Sequence, residues 1–429
     1  MRVLVTGAYG FIGSHVVAAL VAAGHEPVLG VRESRRETRF PSLTRVACDF
    51  GRDLDPSIWR PRLAGIEAVV NCAGILRQHG ADTFEHVHVA APRALYSACA
   101  EAGVRRVIQI SALGEPADGE FVASKHRSDA ELLLSGLAAT VLRPSLVYST
   151  EGSYGGSTLL RSLAALPWVP LPEAGKQRVR PISAQDVGAA VVAALARSAS
   201  AGSALELVGP DTLSLRDYLA QWRGWLGLGP ARFLRLPRAV ARTGAWLGER
   251  IGRGPLGLTM WRMLERGNVG ADDALLRMRE QIGLTPQRLS DALAVRPAQS
   301  ADRWHARLHF QIPLLSMILA GTWIASGVLG FCMPSEQVIA LLAPAGVSAS
   351  AALGLAWGGS VVDLLLGILL LAGWAPRLTL ALMAFSVLAY TGFIGVALPS
   401  TWVDPFGGLL KNFVILSALG IAYSTAERS

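Results

Sequence analysis

Short apolar runs alternate with amphipathic stretches through the first half of the chain. Residues 3–6 and 27–31 read as buried strands, and between them residues 10–23 set Ile12, Val16, Leu20 and Val21 on one helical face. Further strands read at 68–71, 106–110 and 139–142, with a helix at 90–102 between the first two. This βαβ rhythm predicts an α/β fold, a doubly wound parallel sheet. From about 198 to 300 the pattern changes to a smaller lobe, with helices at 215–226 and 237–251 that carry Trp222, Trp225 and Trp246. Each tryptophan has three readings: core packing, the wall of an apolar pocket, or a bilayer contact.

Beyond Arg307 ionisable residues become sparse until Glu427 and Arg428. Four apolar segments, 308–333, 350–374, 378–398 and 408–423, approach the ~20 residues that cross a bilayer, the last being short. LLLGILLLAGW at 364–374 has no polar face, so a soluble bundle is a poor alternative. The expectation is a Rossmann-type domain over 1–300, including its lobe, followed by an all-α four-helix transmembrane bundle over 301–429. Arg303, Arg307 and Arg377 flank the spans on one side, whereas 334–349 has no Lys or Arg. Positive residues stay inside, which puts the N-terminal domain and the C-terminus in the cytoplasm, at an inner membrane.

Composition agrees with two solvents: 51% of the 429 residues are hydrophobic and only 17% charged. The formal charge of +8 contains no run of five or six basic residues, which favours a lipid bilayer over nucleic acid as partner. Cys48, Cys72, Cys99 and Cys332 form no CxxC pair, so neither disulfides nor a metal site is expected. The chain enters a strand and a glycine loop at once instead of a signal peptide, and the first domain is expected to stay in the cytoplasm.

The candidate chemistry sits in the first turn. In TGAYGFIG, Thr6 precedes Gly7, Gly10 and Gly13, and Tyr9, Phe11 and Ile12 complete a strand-to-helix turn of the kind that brings backbone amides to a pyrophosphate. After the second strand stand Arg32, Glu33, Ser34, Arg35 and Arg36. Arg32 and Arg36 suit a 2′-phosphate, which favours NADP(H), while Glu33 keeps NAD(H) as the alternative.

TGAYGFIG, Asp49, NCAG at 71–74, SALG at 111–114, LRPSLVY at 142–148 and RPISAQDVG ending near Asp186 together resemble an extended or atypical short-chain dehydrogenase/reductase. The likeness is to the branch holding the NAD(P)H-binding accessory subunit of respiratory complex I and proteins resembling sugar-nucleotide epimerases. It implies that Asp49 meets the adenine, that Cys72, Ala73 and Gly74 line the cofactor, and that Pro144, Ser145, Leu146 and Val147 pass near the nicotinamide. The family's YxxxK motif stands here as Phe121, Val122, Ala123, Ser124 and Lys125. Lys125 is thus assigned to the nicotinamide ribose, with a solvated helix charge as the alternative. The proton-exchanging phenol is replaced by a ring that cannot exchange one. Ser111 is the candidate catalytic serine, in competition with alignment at Ala112. Tyr148 and Tyr154 are alternative phenols, although packing roles suit both better.

The tail, closing with DPFGGLLKN at 404–412, resembles the DoxX-like membrane family, some of whose members are linked to quinone or thiol redox chemistry. Asp363 lies inside an apolar span, where a carboxylate is costly unless paired, hydrated or functional, and Lys411 is its candidate partner. The expected function is an oxidoreductase or isomerase acting on a small apolar substrate (lipid, isoprenoid or quinone). The alternative is a non-catalytic NAD(P)H-binding scaffold or redox sensor; a protein partner within the membrane fits either.

Overall fold

The computed structural model describes residues 1–32, 39–152, 155–197, 202–251, 257–405 and 407–426. They form two compact units, Met1–Ala306 and Arg307–Ser429.

The first unit opens with β1 (Arg2–Thr6), α1 (Phe11–Ala22), β2 (Glu26–Val31), β3 (Arg45–Ala47), α2 (Pro56–Trp59) and β4 (Ala68–Asn71). A π-helical turn, Glu85–Ala90, leads into α3 (Ala91–Glu101), then β5 (Arg106–Ile110), α4 (Glu120–Leu134) and β6 (Ala139–Pro144). After β7 (Val147–Tyr148), α5 (Gly156–Ala165), β8 (Trp168–Pro172), β9 (Arg178–Val179), β10 (Ile182–Ser183) and α6 (Ala184–Ala196), β11 (Ser203–Leu207) closes the main sheet. Its seven strands are all parallel, in the order β11-β6-β5-β4-β1-β2-β3.

Successive strand residues face opposite sides, so Val3 and Val5 join α1 and α6 on one face while Leu4 joins α3 on the other. Both faces are buried, which is why these strands read as continuous apolar runs. Parallel register sets Thr6 beside Asn71 and Asn71 beside Gln109 at the carboxyl ends of β1, β4 and β5.

The lobe continues with β12 (Leu213–Ser214), α7 (Leu215–Trp225), β13 (Arg232–Leu236), α8 (Arg238–Ile251), α9 (Leu258–Arg266), α10 (Ala274–Ile282), α11 (Leu289–Val295) and α12 (Ser300–Leu308). Trp222 is buried with Tyr148, Tyr218 and Leu219 in the lobe's own core, Trp225 packs at its edge, and Trp246 is exposed.

The second unit consists of α13 (Gln311–Cys332), α14 (Ser335–Leu342), α15 (Ala349–Ala372), α16 (Pro376–Ala397) and α17 (Lys411–Thr425). Leu319, Trp323, Leu366, Met383 and Leu419 bring α13, α15, α16 and α17 into one core. A Cβ at Gly327 would fall 2.7 Å from the Ser360 carbonyl, and one at Gly367 would fall 2.9 Å from that of Ala320. Small residues thus let α13 and α15 approach backbone to backbone, the way helices associate in lipid. Among the described residues three helices rather than four are long and apolar enough to cross a membrane: α13, α15 and α16. The fourth segment forms α17, but a 3-10 turn at Pro399–Val403 and a bend through Gly407 delay its start to Lys411. Its 15 residues rise about 22 Å against a hydrocarbon core of about 30 Å.

Candidate functional site

The site is built at the carboxyl edge of the sheet, where β1 and β4 feed their turns towards each other. Gly7 has φ +65°, and a Cβ there would lie 2.9 Å from the Ala73 nitrogen and the Cys72 carbonyl, so the two turns touch backbone to backbone. A Cβ on Gly13 would fall 2.2 Å from the Gly7 carbonyl oxygen. α1 starts at Gly10 with no side-chain cap, leaving its first amides for an anion. Tyr9 is buried in this turn, and its hydroxyl has no hydrogen-bond partner among the described residues. Phe11 and Ile12 are half-buried at the helix start. An uncapped helix end with glycine wherever a side chain would collide fits a dinucleotide pyrophosphate.

Beneath the turns runs a buried polar ladder. Thr6 Oγ1 donates to Asn71 Oδ1 at 2.5 Å, Asn71 Nδ2 donates to Gln109 Oε1 at 2.8 Å, and the Tyr96 hydroxyl donates to the same Gln109 oxygen at 2.8 Å. Asn71 Oδ1 also accepts from the Ala73 amide at 3.1 Å. The ladder therefore fixes the NCAG turn from below.

Just past β3, Asp49 is half-exposed and its Oδ1 caps the Gly51 amide at 3.0 Å. Arg32 pairs with Asp82 at 2.7 Å, and a Cβ on Gly51 would lie 2.8 Å from Asp82 Oδ1, so Asp82 joins Arg32 to the Asp49 turn. Arg35 and Arg36 lie outside the described residues. Arg39 Nη1 donates to the Tyr9 carbonyl at 3.0 Å, bringing to the phosphate turn a basic residue that spacing alone had not singled out.

Lys125 is buried between the ends of β4 and β5, its Nζ 3.1 Å from the Ile110 carbonyl. A Cβ on Gly74 would lie 3.1 Å from that Nζ, so glycine here leaves the lysine tip its room. Burial lowers the Lys125 pKa, opposed by Asp129. Ser111 turns away: its Oγ donates at 2.8 Å to Asp129, which also accepts from Arg143 at 2.9 Å. Pro144 and Ser145 are buried and Leu146 and Val147 half-buried; Ser145 Oγ donates to the Arg180 carbonyl at 2.6 Å.

The π-helical turn presents a residue missing from the sequence reading, His88. Its Nε2 receives the Ile75 amide at 3.1 Å, so the ring proton is on Nδ1 and is given to Ser124 Oγ at 2.8 Å. Ser124 Oγ then donates to the Phe121 carbonyl at 3.2 Å. Burial, and next the nearby Lys125 charge, push the His88 pKa down to about 2, so the ring is neutral. His88 stacks on Phe84, and Phe121 meets both edge-on at 5.6 and 6.3 Å. Tyr148 is buried against Trp222 in the lobe core, and Tyr154 lies outside the described residues. Apolar groups border the rest: Leu76 beside Gly155 and Met260 beside Gly156.

In the second unit Asp363 accepts from Ser326 at 2.7 Å, bridging α15 and α13. No ion pair links it to Lys411 among the described residues, and Lys411 is exposed at the start of α17.

Residues 7–198 match the NAD(P)H-binding family, and residues 320–420 match the DoxX-like family. Among characterised proteins, the chain is 30% identical over 244 residues to a (4-alkanoyl-5-oxo-2,5-dihydrofuran-3-yl)methyl phosphate reductase of Streptomyces griseus, covering 56% of this chain and 79% of that one. It is 27% identical to subunit 9 of the mitochondrial NADH dehydrogenase 1 alpha subcomplex of Arabidopsis thaliana, over 56% of this chain and 61% of the other. A ceramide reductase of Caulobacter vibrioides is 30% identical over 44% of this chain and 60% of its own. Among solved structures, a nucleoside-diphosphate-sugar epimerase from Staphylococcus aureus superposes with a TM-score of 0.54 at 20% identity, over 68% of this chain and 99% of that one. A dTDP-glucose 4,6-dehydratase from Streptomyces venezuelae, solved with NAD, gives 0.53 at 21% identity, over 72% and 98%. At such identity these two speak for the fold.

Proposed function

Because this chain belongs to the NAD(P)H-binding, short-chain dehydrogenase/reductase-like family and ends in a DoxX-like domain, we propose that it is a membrane-anchored, NADPH-preferring reductase of an apolar, conjugated carbonyl compound such as a quinone. The observation that carries this reading is Phe121, which stands where the family's phenol would protonate the product oxygen. Bound nicotinamide supplies a hydride. A hydride delivered to an isolated ketone leaves an alkoxide that needs a positioned acid, whereas one delivered to a quinone leaves a phenolate, with a pKa near the value of about 10 for tyrosine. Water protonates such an anion unaided.

The chain's own groups have clear tasks in this scheme. Gly7, Gly10 and Gly13 hold the pyrophosphate, Lys125 the ribose, and Arg32 with Arg39 the 2′-phosphate side. Phe84, Phe121, Leu76 and Met260 offer an apolar border to the acceptor. The ceramide reductase relative lends support to a lipid-soluble substrate, and the apolar helices to a substrate that reaches the protein through the bilayer. We place the N-terminal unit in the cytoplasm at the inner membrane.

One observation favours the second reading, a cofactor-binding scaffold or sensor: Ser111 and His88 are both spent on hydrogen bonds within the protein. NADPH oxidation by purified protein in detergent, against a panel of quinones, polyprenyl carbonyl compounds and simple ketones, separates the two. Turnover with quinones only is expected. Tight NADPH binding with no turnover on any acceptor would establish the scaffold.

A further inference from the structure

α8 inverts the arrangement usual for a helix on a soluble domain. Its less exposed positions are Ala241, Gly244, Ala245 and Gly248, all small, while Val240, Trp246 and Leu247 are 54, 42 and 43% exposed. Val240, Thr243 and Leu247 follow the i, i+3, i+7 spacing of one stripe, with Trp246 beside it, so the larger apolar groups point outward. The preceding strand continues the theme. Leu234 of β13 is 49% exposed, and Trp168 of the paired β8 is 56% exposed beneath the Arg232 guanidinium, 5.5 Å from its ring.

Charge along this stretch is mostly of one sign; Arg266 pairs with Asp118, and Arg253 lies outside the described residues. Residues 230–266 contain eight arginines, no lysine and two glutamates, a net +6 from fewer than a tenth of the residues of a chain whose total is +8. Both glutamates are engaged: Glu265 pairs with Arg238, and Glu249 caps the Leu258 amide that opens α9. Arg232, Arg235, Arg242 and Arg250 have no carboxylate within ion-pair distance among the described residues, and Arg250 lies over the Trp246 ring at 4.8 Å. Exposed tryptophan with a guanidinium above it, flanking an apolar stripe, is the chemistry of a headgroup interface.

We propose that β13 and α8 form an interfacial surface that lies on the bilayer and prefers anionic headgroups. Charge complementarity selects the occupant, and the chain's own apolar helices, beginning 45 residues after Arg266 at Gln311, keep a bilayer always within reach. The role of this surface does not depend on turnover at the cofactor site.

The test uses the full chain with Cys332→Ser as background, since Cys332 is exposed while Cys48 and Cys99 are buried and Cys72 is half-buried. An environment-sensitive fluorophore is placed at Thr243→Cys, or at Val21→Cys on α1 as control. The protein is reconstituted into phosphatidylcholine vesicles with or without phosphatidylglycerol, with nitroxide-bearing lipid as quencher. Unmutated background protein supplies the labelling blank. Quenching at position 243 is expected to exceed that at position 21 several-fold and to rise with phosphatidylglycerol. It should fall as salt is raised from about 0.1 M to about 1 M, which shortens the screening length from ~10 to ~3 Å. Arg242→Ala with Arg250→Ala should abolish the dependence on anionic lipid, and Trp246→Ser with Leu247→Ser the quenching itself; both pairs are exposed, and an unchanged melting temperature excludes unfolding. Equal quenching at positions 243 and 21, quenching indifferent to lipid charge and salt, or energy transfer between labelled copies in place of lipid quenching would each overturn the proposal.

Discussion

At the scale of single residues, Phe121 and Lys125 separate what the site holds from what it can do. A positioned acid contributes about 10² to 10⁴ in rate. Phe121→Tyr should therefore bring reduction of simple ketones up by about that factor, while quinone reduction and NADPH affinity change little, as read from steady-state rates and cofactor titration. Lys125→Ala should weaken cofactor binding with either acceptor; unchanged affinity would remove Lys125 from the ribose and the YxxxK alignment with it. His88 supports a pH prediction. Folding lowers its pKa from 6.5 to about 2, so below 6.5 the unfolded chain takes up a proton that the folded one refuses, and stability falls by about 1.4 kcal/mol per pH unit. Melting temperatures should be nearly level above pH 7.5, begin to fall through 6.5 and approach this slope between about pH 5.5 and 4.5, and His88→Asn should flatten the fall. His88 was illegible in the sequence because its importance comes from a π-helical turn and a contact with Ser124, 36 residues away. Phe121 was legible because the motif around it is local.

At the scale of elements, the first turn is the most constrained piece of the chain. With only 2.2 Å between a Cβ at position 13 and the Gly7 carbonyl oxygen, Gly13→Ala must push the turn apart. It should cost about 1–3 kcal/mol in stability and lower NADPH affinity by more than tenfold, measured by calorimetry. Arg32 should act on selectivity alone: Arg32→Asp is expected to reverse or erase a preference for NADPH over NADH without unfolding the domain, since the side chain is exposed at the strand end. Equal affinities in the unmodified protein would refute the assignment. The order of strands and helices around the turn was readable because parallel strands are buried on both faces and show as plain apolar runs. The polar ladder Thr6–Asn71–Gln109 was not, since it depends on register between strands far apart in sequence. The last segment, read as short, is shorter still as a helix, for a related reason: apolar content does not report where Gly407 and a 3-10 turn postpone a helix.

At the scale of the whole molecule, the number of crossings decides where the chain ends. Crossing by α13, α15 and α16 alone would separate the two termini, whereas crossing by α17 as well returns Ser429 to the side of the N-terminal unit. We expect the latter, since α17 packs into the same core as the other three, and neighbours and local thinning accommodate a short helix. A reporter fused after Ser429 that is active only outside the cytoplasm would rule this out. The sheet is complete only when β11 pairs with β6, yet that edge strand, ending at Leu207, and even α10, which packs near it, are synthesised before Gln311, where the first described helix long enough to span a membrane begins. At about 5–20 residues per second, the 104 residues from Leu207 to Gln311 take roughly 5–20 s to make, so the whole sheet-forming sequence precedes α13 by that interval. We expect the N-terminal unit to begin folding, and to become able to hold a nucleotide, before α13 is made.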